Sequence, residues 1–320
     1  MSCHKDCFRQ DTNIQSRGAT MTEMQGRLVI LGCLVTAGAA LAVTILISRM
    51  ASDAGAPMIW FLSVVLAGGG AVQLVLAALL GQLRGAGRML PYAAGAGVLL
   101  AGPTALGYLA VAHVGAGYIA MTFAFPILLT WGMARLLGLE RADPRRSLAV
   151  ALGLSGGVIL AMSKLTDLPA EATTWLVAAT AMPVVIAAGN IYRSRYWPAG
   201  GRPLTLSALT LLMAGLACVP LALMLDPGAA ILWHRADLRS LVGVDVAVFV
   251  IQYIAFFQLQ RRGGPVTLSL LGPVAAVTGA AGALWLFAEP LPQGFLLAGL
   301  LVGAGVLLML MRRAPAARPV

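Results

Sequence analysis

Apolar runs recur from Leu28 to Met311, and each is closed by a short joint rich in glycine, proline or charge. A helix needs ~20 apolar residues to cross the hydrocarbon core of a bilayer. On that measure the runs predict ten helices, at 28–48, 57–80, 89–112, 115–138, 147–163, 172–192, 204–225, 240–260, 264–287 and 292–311. The joints carry turn chemistry: "DAGAP" (53–57), "LERADPRR" (139–146), "YWPAGGRP" (196–203), "LDPGAA" (225–230), "QRRGG" (260–264) and "EPLPQG" (289–294). A tight turn is expected at His113–Gly115, and Arg135 must snorkel from the lower end of the fourth helix.

Composition agrees with the pattern. Of 320 residues, 59% are hydrophobic and 11% charged, against ~25% charged in soluble domains. The expected class is an all-α, multi-pass membrane protein in contact with the lipid bilayer. Its first run is longer than the apolar core of a signal peptide, and no cleavable signal precedes it. Residues 1–27 read as a polar cytoplasmic tail, within which Met21 or Met24 is an alternative start. Cys3, His4 and Cys7 share that tail; a metal site is conceivable there, but one short cluster lacks a second ligand pair. Neither a cofactor nor a metal is expected. Cys33 and Cys218 fall within spans as small hydrophobes.

The net charge of +10 changes the picture only through its placement. With the N-terminus inside, the inner tails and loops hold Lys5, Arg9, Arg17, Arg27, Arg84, Arg88, Arg135, Arg141, Arg145, Arg146, Arg193, Arg195, Arg202, Arg261, Arg262, Arg312, Arg313 and Arg318. The outer loops hold Arg49, Lys164, Arg235 and Arg239. Eighteen against four is a positive-inside asymmetry, so both termini are expected in the cytoplasm and no nucleic-acid partner is implied.

The chain also resembles itself. "ISRMASDAGAP" (47–57) aligns with "RSRYWPAGGRP" (193–203) at an offset of 146, and "GYIAMTFAFP" (117–126) with "GPVTLSLLGP" (264–273) at 147. Glu140 pairs with Glu289 at 149, and "GVIL" (157–160) with "GVLL" (305–308) at 148. Five helices per unit is odd, so the units, 28–163 and 172–312, enter the membrane from opposite sides. Residues 313–320 form a second cytoplasmic tail. Inverted repeats are the architecture of many secondary transporters, with a site at the repeat interface.

Two stretches carry a family resemblance. "GYLAVAHVGAGYIAMTFAFPILLTWGMARLLGLER" (107–141) is similar to one half of the EamA-type transporters of the drug/metabolite transporter superfamily, with its small-residue helix start, mid-helix proline and glutamate at the helix end. "FFQLQRRGGPVTLSLLGPVAAVTGAAGALWLFAEPLPQGFLLAGLLVGAGVLLML" (256–310) resembles the other half. The resemblance covers about 28–312, although "GCLVTAGAALAVTILISRM" (32–50) lacks the tryptophan and asparagine often found in the first helix. It implies ten helices as two inverted sets of five and a cavity walled by helices one to four and six to nine. It further implies transport of small metabolites, often amino acids or related compounds and commonly outward.

Polar groups inside spans are the candidates for the site. Asp245 is the one acid well inside a predicted span, and Phe249, Gln252 and Phe256 follow on its helix face. Two readings of Asp245 stand: a cavity group binding an amine or a proton, or a residue in interfacial water near a helix N-terminus. Gln73, Gln252 and Asn190 bring amides into apolar runs, where they line a cavity or bridge helices. Tyr118, Thr122, Thr267 and Ser269 flank the paired prolines Pro126 and Pro273, which free backbone carbonyls. Trp131 lies mid-span as a further cavity candidate, whereas Trp60, Trp175, Trp233, Trp285 and Trp197 fit interfacial belts. Gly153/Gly157 and Gly299/Gly303 permit close helix approach, within the bundle or at a homodimer seam.

No phosphate loop, HExxH or nucleophile–histidine pair occurs, so an enzyme is not expected. The expected function is secondary transport, in the export direction, of a small organic metabolite, amino-acid-like or another small solute, across the cytoplasmic (inner) membrane. A non-transporting scaffold or sensor is the alternative, and a membrane-embedded enzyme the lesser one. Glu289 reads as a boundary residue where a helix meets water.

Overall fold

The computed structural model describes residues 3–138, 143–167, 169, 172–226, 228–268, 271–289 and 294–310, and every α-helix and turn named below lies among them. Their regular elements are helical, with no strand among the described residues. In chain order the α-helices are α1 (Cys3–Asp53), α2 (Met58–Leu79), α3 (Leu90–Val114), α4 (Ala116–Thr122), α5 (Pro126–Leu136), α6 (Pro144–Asp167), α7 (Thr173–Arg195), α8 (Pro203–Leu225), α9 (Ile231–His234), α10 (Ala236–Leu268), α11 (Leu271–Phe287) and α12 (Phe295–Leu310). Eight described segments are long and apolar enough to cross a membrane, and Leu271–Phe287 and Phe295–Gly305 are shorter apolar helices. This is the architecture of a multi-pass membrane protein. Backbone polar groups satisfied within helices are what a bilayer demands of a spanning segment.

Three boundaries differ from expectation. α1 begins at Cys3, so the polar N-terminal stretch continues the first helix instead of preceding it. The fourth apolar run is two helices, because Phe123–Phe125 interrupt it before Pro126, which opens α5 at a position where its missing N–H costs nothing. The eighth helix runs through "QRRGG" to Leu268, and the ninth starts at Leu271, later than the expected 264. Glycines at a joint permit a turn without enforcing one. The break after Thr122 lies beside Pro126, and α11 starts beside Pro273, 147 residues further on. Cys3, His4 and Cys7 lie on α1, their side chains outside the described set, and Glu140 and Ser269 lie outside the described residues.

The helix contacts follow a reciprocal scheme. α1 packs on α10 and α11, while α7 packs on α3 and on α5. α2 packs on α8 and α10, while α8 packs on α2 and α3. α4 meets α11, and α6 meets α12 at the periphery. Glycines bring the paired backbones close: a Cβ on Gly70 would lie 2.7 Å from Leu212 N, and one on Gly215 2.8 Å from Ala67 N. The ends of α2 and α8 lock reciprocally as well. Ile59 N–H donates to Asp226 Oδ2 (2.7 Å) and the Trp60 indole to Asp226 O (2.9 Å), while Thr205 Oγ1 donates to Gln82 O (3.0 Å).

α6 and α12 meet through glycines other than the expected ones. A Cβ on Gly156 would lie 2.8 Å from Ala298 O, and one on Gly305 2.6 Å from Ala149 O. Gly153 and Gly157 instead face Leu128 and Phe125, and Gly299 and Gly303 have no neighbour within 4 Å of a built Cβ. At the centre, Gly272 of α11 sits against the carbonyl of Phe123, where a Cβ would collide with that oxygen. The Phe123–Phe125 interruption and α11 therefore cross backbone to backbone.

Candidate functional site: a central chamber with a buried arginine

A cavity of about 110 Å³ lies between α1, α3, α4, α5, α7, α10 and α11. A water occupies about 10–15 Å³ on this scale, so the chamber has room for a solute of several non-hydrogen atoms. α2 and α8 contribute no lining residue, so its wall is narrower than the family resemblance implies. Its apolar side is made by residues such as Leu100, Pro103, Ile119, Met182 and Phe249.

The polar lining is sparse. Asn190, Arg193, Gln252 and Tyr253 reach the chamber, with Thr44, Ser48, Thr104 and Tyr108 around them. Thr44, Ser48 and Thr104 hydroxyls donate to carbonyls of their own helices (Leu41, Ile45 and Leu100), which leaves them little to offer a solute. Arg193 differs: it is only 6% exposed, and its Nη2 donates to Asn190 Oδ1 at 2.7 Å. Its guanidinium carbon lies 5.3 Å from the Phe256 ring centre, a cation–π contact. Its Nε has no hydrogen-bond partner, nor does Oε1 of Gln252, among the described residues.

Beside Arg193 the aromatic rings form a continuous layer. Tyr92 stacks on Tyr192 with centroids 5.9 Å apart and meets Trp197 edge-on at 6.4 Å, and Trp197 touches Phe257 at 6.0 Å. Phe257, Phe256, Tyr253 and Phe249 continue it along α10. Trp197 is therefore part of the interior packing and not only an interfacial residue.

The sequence candidates separate into groups. Phe249, Gln252 and Asn190 line the chamber. Asp245 lies behind it: fully buried, it accepts a hydrogen bond from the Tyr108 hydroxyl (2.9 Å) through Oδ2, and its Oδ1 has no partner among the described residues. Its burial rules out the interfacial-water reading: α10 starts at Ala236, about one turn earlier than the span edge the hydropathy pattern gives, which sets Asp245 deeper in the helix. Gln73 bridges helices away from the chamber, donating to Val250 O (3.0 Å) and accepting from Ser207 Oγ. Tyr118 hydrogen-bonds Thr180 (2.7 Å), and Thr122 donates to Ile119 O (2.7 Å). Trp131 packs with Ile127, Leu128 and Ala149 between α5 and α6, its indole N–H unpartnered among the described residues.

Sequence reasoning missed Arg193 as a site residue because it lies one residue past the expected end of the sixth helix. There it counts as an inner-loop cation, whereas α7 runs on to Arg195 and buries it. The signal was present in "GNIYRSR": Asn190 and Arg193 are spaced i, i+3 and share a face.

No family model and no curated protein matches this chain. Among solved structures, one crystal structure of a protein matches with a TM-score of 0.62 at 18% identity, over 90% of this chain and 97% of that one. The likeness establishes a fold already seen in nature along nearly the whole chain.

Proposed function

We propose that the protein is a secondary transporter of a small organic solute, built as ten spans in two inverted five-helix repeats and working by alternating access. On this reading it belongs with the EamA-type transporters, both termini are cytoplasmic, and it resides in the cytoplasmic membrane. The observation that carries the proposal is the chamber, walled by segments that correspond across the repeat. α1 corresponds to α7 and α3 to α10, while α4 and α5 correspond to the last turn of α10 with α11. The reciprocal helix contacts support the same two-fold relation: α1 on α10 answers α7 on α3, and α1 on α11 answers α7 on α5. Inverted repeats around a midplane site are the device by which rocking exposes one site to either side in turn.

The test is solute flux in proteoliposomes containing the purified full chain, set beside lipid-only vesicles, across amino acids, carboxylic acids, polyamines and sugars. Flux above the control that saturates with solute is the expected result. Saturable binding without flux for every solute would instead mark a sensor or scaffold. Reporter fusions at both ends, expected to be active only when cytoplasmic, check the orientation.

A further inference from the structure

We infer that the chamber's solute is an organic monocarboxylate, its carboxylate docked on Arg193 beside Asn190 and Gln252 and its apolar body against α3 and α10. The inference rests on the proposed transport reading and names the solute class it requires.

Charge and geometry carry it. Arg193 is a buried guanidinium with no carboxylate paired to it among the described residues, and its Nη2 donates to a neutral amide, that of Asn190. A desolvated charge without a counter-ion is costly, and a charge arriving with the solute offsets that cost. The planar fork of arginine matches a carboxylate, and Nε, one of the two nitrogens of a side-on pair, is the atom left without a partner. An arginine present only as an interfacial anchor would reach water, yet this one is 6% exposed beside the aromatic layer.

The remaining lining narrows the class. No acidic residue lines the chamber among the described residues, and the nearby Asp245 lies behind the Tyr108 phenol. A free ammonium would therefore find no counter-charge on the wall, which disfavours amines and amino acids. Arg193 is also the single cationic residue in the lining among the described residues, so one negative charge is matched and a phosphate dianion is not. The lining is otherwise predominantly apolar, as a hydrocarbon or aryl body requires.

Matched probes test it on the full-length protein in lipid nanodiscs by calorimetric titration. The probes are 3-phenylpropanoate and 4-methylpentanoate, the amide of each, phenylalanine, leucine and phenyl phosphate. The carboxylates are expected to bind at least tenfold more tightly than their amides, the amino acids or the phosphate. Arg193→Gln should erase that preference. Asn190→Asp, which sets an internal carboxylate against Arg193, should weaken carboxylate binding at least tenfold while leaving the melting temperature unchanged or higher. That second variant keeps the test decisive where Arg193→Gln folds poorly.

Equal binding of acids and amides, no binding of either carboxylate, tighter binding of amino acid or phosphate, or a preference that survives both variants overturns the inference. Failure of the transport reading looks different: carboxylate binding that depends on Arg193, with no flux in proteoliposomes.

Discussion

Glu289 and Arg49 face each other across 3.7 Å, joining the end of α11 to α1. The same carboxylate accepts hydrogen bonds from Ala116 N–H (3.0 Å) and Gly117 N–H (2.9 Å), the first amides of α4. Sequence alone makes Glu289 a mark of where a helix leaves the membrane. In the fold it caps α4, more than 170 residues earlier in the chain, with negative charge at the positive end of a backbone dipole.

Removing that cap should loosen one end of the bundle. Glu289→Ala loses two charge-assisted bonds to backbone, and each is worth about 1.5–3 kcal/mol. Glu289→Gln keeps an acceptor and should lose less, while Arg49→Ala should lose least because the pair is partly exposed. Thermal unfolding in detergent should rank the three in that order; an Arg49→Ala loss equal to that of Glu289→Ala would contradict it.

Gln73 should matter to stability alone. It spans α2, α8 and α10 outside the chamber, and such interhelical bonds average roughly 0.6 kcal/mol and reach about 2. Gln73→Leu should lower the melting temperature modestly and leave solute affinity within twofold, measured by unfolding and titration on one preparation.

Tyr108 and Asp245 should behave as a coupled pair. Tyr108→Phe removes the one side-chain donor, among the described residues, to a fully buried carboxyl, a loss of roughly 1–3 kcal/mol. Asp245→Asn on top of Tyr108→Phe should recover much of it. A double-mutant cycle on unfolding checks this, and strict additivity would show the two do not depend on each other.

Gln252 should show the opposite balance. Its Oε1 is buried without a partner among the described residues, so Gln252→Leu should stabilise the empty protein by about 1 kcal/mol. The same change takes a polar group from the chamber wall and should weaken solute binding several-fold. Unfolding and affinity should therefore move in opposite directions, as at functional sites where a buried polar group is kept at a cost in stability.

The membrane class was legible in the sequence because hydropathy depends on composition over ~20 residues, and a few misplaced boundaries leave it intact. Positions one residue either side of a boundary were not so legible. Arg193 passed for a loop cation because Asn190, Ile191 and Tyr192 already look like a helix end, and only packing on α3 and α10 shows that α7 continues. Asp245 stood out by type, yet its separation from the chamber depends on Tyr108, 137 residues away. Phe249 and Gln252 were found because they share one face of one helix, which spacing does report.

The crossing of Gly272 with the Phe123 carbonyl divides the chamber into what variation can alter and what it cannot. A backbone oxygen cannot swing aside as a side chain can, so even alanine at 272 requires α11 or the Phe123–Phe125 segment to shift. Leu268 and Leu271, four and one residues away, also line the chamber. Substitution there reshapes the chamber's volume without touching the crossing, so the space can vary from its wall while residue 272 stays fixed.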